Sequence, residues 1–200
     1  MSTTNDTGLL SQLTTFTAYR TPLAGTVPHF FGRATNLNVL ALGLSGNIWT
    51  GTLPSNYGNL TALRHLSLSH LIGITGTLPA SWGYGMTQLE SIDLFGNAEL
   101  SGSIPKSWGG MTNLATLRLA QTNISGTIPS ELGKLTALID ASFHRTNLHG
   151  SVPSEICQLR KDYVLLKLSV DCIADTVGSN SEEQVPPVSC SQPDCCTSCT

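Results

Sequence analysis

The sequence predicts an α/β solenoid, a stack of similar coils with short parallel strands on one side and tight helical turns on the other. Two observations carry that expectation. A Gly-x-[Val/Leu/Ile]-Pro step returns six times, at Gly25–Pro28, Gly51–Pro54, Gly76–Pro79, Gly102–Pro105, Gly126–Pro129 and Gly150–Pro153, with prolines 26, 25, 26, 24 and 24 residues apart. Upstream of it lies a comb of aliphatic residues, plainest as Leu63-x-x-Leu66-x-Leu68, Leu89-x-x-Ile92-x-Leu94 and Leu114-x-x-Leu117-x-Leu119. A fixed period of about 20–29 residues means that each copy is one unit that buries its apolar side only by stacking on its neighbours.

Each element follows from the residues. Alternation in the comb defines a strand whose aliphatic side chains point inward and whose intervening residues face out on the concave side. The Gly-x-Ile-Pro step makes a second short extended segment, because proline fixes its own φ and drives the residue before it into the β region. Three residues past each proline comes an inward column of Phe31, Tyr57, Trp82, Trp108, Leu132 and Ile156. Aromatics that share a slot with Leu and Ile are core residues rather than a stacking platform. A [Leu/Met]-Thr-x-Leu turn, 3-10 or helical, then closes the convex side. The second coil allows two phases, of which Val39-x-x-Leu42-x-Leu44-x-x-Asn47 is the expected one. Tyr163-x-x-Leu166-x-Leu168 is read as the last strand.

The comb followed by Gly-x-[Ile/Leu/Val]-Pro resembles the plant-type leucine-rich repeat over residues 8–172. The resemblance implies a stack with a parallel concave β-sheet, short second β-segments and a 3-10 or helical convex side. The position that this pattern gives to Asn reads Thr21, Asn47, Leu71, Asn97, Thr122, Thr146 and Asp171. Thr offers one hydroxyl in place of an amide, and Leu71 offers nothing. Gly8 to Leu13 matches Gly58 to Leu63, so residues 1–12 are read as the end of a preceding repeat and a longer polypeptide is expected. Residues 13–172 form the repeat domain, about six full repeats and a last strand, and residues 173–200 form a cysteine-rich cap.

Composition narrows the function. Of 200 residues, 12% are charged, the net charge is −3 and mean hydropathy is +0.08, and the ten Lys and Arg are scattered singly. That excludes a nucleic-acid binder and a polybasic membrane patch. No apolar run approaches the ~20 residues of a membrane span, and no signal peptide is read at the start. All six cysteines, Cys157, Cys172, Cys190, Cys195, Cys196 and Cys199, fall after residue 156. With no histidine after His149, disulfides in an oxidising compartment fit better than zinc. The tail resembles the cysteine-rich caps of secreted and receptor-ectodomain leucine-rich repeat proteins. A Cys157–Cys172 bridge within one coil is one expectation among many pairings. Sequons at Asn5, Asn59 and Asn123 agree with secretion.

No activated nucleophile, paired acid or metal set is present, so neither an enzyme nor a cofactor is expected; His144-Arg145-Thr146 only superficially resembles a kinase catalytic loop. Function is then assigned to the outward residues of the concave strands. The candidate ligand-binding residues are His65, Ser67, Asp93, Phe95, Arg118, Ser142, His144 and Lys167, with Ser69, Ser91, Thr116, Ala120, Asp140, Leu165 and Ser169 on the same face. Asp93 and Arg118 are read as an ion pair on adjacent coils, and Phe95 as an aromatic anchor. The resemblance implies an extracellular or cell-surface domain that recognises a protein, peptide or cell-wall glycan. An alternative is an inhibitor of the pectinase-inhibitor type. A second alternative is an ice- or surface-binding protein using the ladder around the repeated glycine, Thr50/Thr52, Thr75/Thr77, Ser101/Ser103, Ser125/Thr127 and His149/Ser151.

Overall fold

Each comb residue that points inward lands in one continuous core that runs the length of the stack. The computed structural model describes residues 7–18, 23–43, 48–71, 73–162, 164–171, 188, 195 and 198–199. Thr21, Leu44, Asn47, Tyr163, Cys172, Cys190, Cys196 and the Asn5 sequon lie outside them. The first sheet is parallel and in repeat register, with strands Thr15–Thr17, Val39–Ala41, His65–Ser67, Ser91–Asp93, Thr116–Arg118, Asp140–Ser142, Lys167–Val170 and Ser198–Cys199. The first seven strands define coils 1 to 7. Phe16, Leu40, Leu66, Ile92, Leu117, Ala141 and Leu168 stand opposite one another from coil to coil.

The second sheet holds Ala24–Thr26, Ile48–Thr52, Gly73–Thr77, Leu100–Gly102, Asn123–Gly126 and Asn147–Leu148, also parallel. It is staggered, since Gly51 faces Ile74, Gly76 faces Leu100 and Gly126 faces Leu148. The repeated glycine has a positive φ in all six copies, a conformation that side chains rarely adopt. At Gly102 φ is +78°, and a Cβ would meet Thr77 Cγ2 at 2.7 Å, so both conformation and space select against a side chain.

The turns start at the prolines. Pro54, Pro105 and Pro129 have φ of −68° and precede 3-10 turns Ser55–Asn59, Lys106–Gly110 and Ser130–Lys134, and the helix Ser154–Lys161 takes that place in coil 6. The aromatic column lies in the core as expected, and its polar tips find partners. Tyr57 Oη donates to Pro28 O at 3.0 Å, Trp82 Nε1 to Pro54 O at 3.0 Å and Trp108 Nε1 to Pro79 O at 3.0 Å. The rings stack at 6.3 Å between Tyr57 and Trp82 and 5.9 Å between Trp82 and Trp108. Burial of Tyr57 pushes its phenol well above the ordinary value, because the phenolate would lose its water.

Asn97 is fully buried and ties two coils. Its amide donates to Leu94 O at 2.8 Å and Leu68 O at 2.9 Å, and its Oδ1 accepts the Leu71 N–H at 2.8 Å. The Thr122 and Thr146 hydroxyls bond only their own coil, at Leu119 O and Phe143 O, both at 2.7 Å, while the Asp171 carboxylate accepts the Thr146 N–H from the coil before it at 3.2 Å.

Three expectations fail. Coil 2 is phased Leu37-x-x-Leu40-x-Leu42, all three fully buried, and Val39 is half-exposed. The last strand is phased Leu165-x-x-Leu168-x-Val170, which buries Leu165 and leaves Leu166 64% exposed. In both coils several leucines satisfied two phases, and strand register against the neighbour decided between them. Cys157 bonds Cys195 rather than Cys172. That bridge anchors the helix Ser154–Lys161 to the segment whose strand Ser198–Cys199 pairs with Ser169 and Val170.

Candidate functional site

The face of the first sheet carries the expected outward residues with corrections at five positions. His65, Arg118 and Lys167 are exposed, and Ser67, Asp93, Phe95 and His144 are half-buried. Ser142 is buried, as are Ser69, Ala120, Leu165 and Ser169. Small side chains on strands are covered by larger neighbours, and Leu165 follows from the corrected phase. Ser142 Oγ still meets His144 Nδ1 at 3.1 Å.

Arg118 pairs with Asp140, Nη2 to Oδ2 at 3.2 Å, and not with Asp93. The Asp93 carboxylate instead accepts the Phe95 N–H at 3.1 Å, a local bond that costs less ordering than a pair between two long side chains. Arg64 bonds Glu90 on the next coil, with His65 Nε2 3.8 Å from the same carboxylate.

Phe95 stands in a row of rings. His70 lies 5.1 Å away edge-on and His144 6.5 Å away across coil 5, where Ala120 is fully buried between coils 4 and 6. The chain beside this row is left-handed in four successive coils, with φ of 56° at His70, 75° at Gly96, 58° at Gln121 and 55° at Arg145. At Gly96 a Cβ would meet His70 Nδ1 at 2.7 Å, so the glycine makes room for the His70 ring against Phe95. His70 joins this row of rings, although its sequence position reads as a turn.

The hydroxyls flanking the repeated glycine form two unlike rows. Thr50, Thr75, Ser101 and Ser125 donate to Gly25, Gly51, Gly76 and Gly102 carbonyls at 3.2, 3.3, 3.2 and 3.5 Å. Thr52, Thr77, Ser103 and Thr127 are exposed. The expected double ladder is therefore one outward row beside one that bonds the preceding coil. Asn59 and Asn123 are both exposed, and Asn123 Oδ1 accepts from the Asn147 amide. On the turn side, its own backbone N–H and Lys106, 3.3 Å away, hold the Glu131 carboxyl below its ordinary value.

One feature went unread in the sequence. The residues just after the first comb leucine, Arg64, Glu90, Ala115, Ile139 and Leu166, line a groove of about 640 Å³ along the rim of the first sheet. Its signal was a column that runs from charged to aliphatic. Among the described residues no three His, Cys, Asp or Glu gather as metal ligands, and no helix is long and apolar enough to cross a membrane.

Comparison with known proteins agrees with the repeat. The family model described as Leucine Rich Repeat matches residues 113–135. The fold is similar to the ectodomain of the plant membrane receptor kinase GASSHO1/SCHENGEN3 from Arabidopsis thaliana, solved in complex with CASPARIAN STRIP INTEGRITY FACTOR 2. Identity is 33% over 68% of this chain and 16% of that one, with a TM-score of 0.64. A TDR receptor aligns at 30% identity over 78% of this chain and 26% of its own, TM-score 0.69. A PEPR1–AtPEP1 structure aligns at 28% identity over 74% and 21%, TM-score 0.64. No curated protein matches the sequence. The chain spans about a sixth to a quarter of the length of these three structures. It is a leucine-rich repeat protein of the plant type.

Proposed function

We propose that the chain is a non-catalytic recognition domain, extracellular or at the cell surface, that binds a protein or peptide on the first-sheet face. The observation that carries this reading is the row His70, Phe95 and His144 beside the Arg118–Asp140 pair, set on strands whose other side is close-packed core. Aromatic and arginine side chains held on a rigid sheet need little ordering when a partner docks, and such residues dominate binding hot spots. The solved complexes support the reading, since two of the three similar structures are named with a peptide or protein factor bound. Residues 13–172 would carry the face and residues 173–200 would cap it, with glycans at Asn59 and Asn123. An inhibitor of the pectinase-inhibitor type would use the same face against an enzyme. Ice or surface binding would use the outward hydroxyl row Thr52, Thr77, Ser103 and Thr127, whose companion row donates its protons to carbonyls of the preceding coil.

The test is a displayed random peptide library panned on the purified protein. Clones should lose at least tenfold in affinity on Phe95→Ala or Arg118→Ser. Clones that bind both variants as tightly as the natural sequence would overturn the assignment.

A further inference from the structure

The rim groove lies beside the proposed recognition face, and its chemistry is more specific than that face. It crosses coils 3 to 7, four steps of ~4.8 Å, the reach of about six extended residues. Along the column Arg64, Glu90, Ala115, Ile139 and Leu166 every backbone carbonyl already accepts a hydrogen bond. Arg64 O accepts from Glu90 and Ser91 N–H, Glu90 O from Ala115 and Thr116, Ala115 O from Ile139 and Asp140, and Ile139 O from Leu166 and Lys167. Leu166 O accepts from Arg160 Nη1 at 3.1 Å. With those carbonyls engaged, side chains supply the selective contacts along this column.

Those side chains are graded. At the coil 3 end Arg64 and Glu90 neutralise each other. At the coil 7 end Ile139 and Leu166 are 46% and 64% exposed on adjacent coils, with Ala115 and Val164 lining the same wall. Lys167, next to Leu166, is exposed and has no ion-pair partner among the described residues, whereas Arg64 and Arg118 both have one. An aliphatic wall beside Lys167, a cation just outside the groove lining and across from the Asp140 that bonds Arg118, complements a side chain of the same kind next to a carboxylate.

We infer that this groove binds an extended peptide segment in which an aliphatic side chain is followed by an acidic one, the first seated on Ile139 and Leu166 and the second on Lys167. The inference rests on the recognition reading and names the partner's chemistry within it. The aliphatic residue gains by leaving water, and the acid gives direction to the chain along the rim.

The same peptide library separates the two claims when it is panned on three further proteins. Leu166→Ser and Ile139→Ser should keep the circular dichroism of the parent and stop enriching aliphatic–acidic pairs. Lys167→Glu should turn the enriched pair to aliphatic–basic. Binders that need Phe95 and Arg118 but carry no aliphatic–acidic pair, or keep it on Leu166→Ser, overturn the groove and leave the recognition face standing. Binders that need none of these residues, or no binders at all, overturn both.

Discussion

Replacing Asn97 by alanine should cost far more than replacing any threonine at the equivalent position. Asn97 closes three hydrogen bonds in a fully buried site, to Leu71 N–H, Leu68 O and Leu94 O. Each bond is worth about 1 kcal/mol net, and a buried backbone group left alone costs about 1–3 kcal/mol. Three bonds, with the Leu71 N–H left alone in the core, put Asn97→Ala at about 4–6 kcal/mol. Thr122→Val removes one bond, to Leu119 O, and should cost about 1 kcal/mol. Urea unfolding followed by far-ultraviolet circular dichroism measures both, and amide exchange should show coils 3 and 4 loosening together in Asn97→Ala, since the amide bridges them. Equal losses for the two variants, or a loss below 1 kcal/mol for Asn97→Ala, would refute the claim that this side chain ties adjacent coils.

Three other outcomes follow from the packing. Breaking the Cys157–Cys195 bridge, which closes 38 residues, should cost about 4 kcal/mol by loop entropy and loosen coils 6 and 7 first, as read by exchange on Cys157→Ser. The Tyr57 phenol titrates higher in the folded chain than its ordinary 10.0, so its contribution is whole below pH 10 and is lost as pH rises toward the folded value. Alkaline unfolding curves should fall by up to ~1.4 kcal/mol per pH unit above 10, and Tyr57→Phe should remove that part of the slope. Among the described residues Thr15–Thr17 is the edge strand of the first sheet and Leu9 is exposed, so amide exchange should be fastest there; protection equal to that of coil 4 would show a second cover.

The stack was legible because period and phase coincide in most coils. Gly-x-Ile-Pro and the comb agree at Leu63, Leu89 and Leu114, and those coils fold as read. The sequence was ambiguous where leucines crowd. Leu37, Leu40, Leu42 and Leu44 offer two combs, as do Tyr163 to Val170, and only hydrogen bonding to the adjacent strand selects one. The site was legible in part. Outward alternation places Arg118, His65 and Lys167 on the exposed face, with Phe95 and His144 half-buried beside them. It could not show that Phe95 and His144 close over Ala120, that Arg118 turns to Asp140, or that His70 joins them through a left-handed turn. Those depend on side-chain direction between coils, which no single repeat encodes. The rim groove was missed because its residues lie one per coil, about 25 positions apart.

The central claim is that one face of this stack recognises a partner and the other does not. Mapping amide chemical-shift changes with a bound panned peptide tests it directly. The account predicts shifts at Ser91–Asp93, Phe95, Thr116–Arg118 and His144, with Thr52, Thr77 and Thr127 unmoved. Shifts confined to the glycine-flanking hydroxyl row, with Phe95 and Arg118 silent, would contradict it.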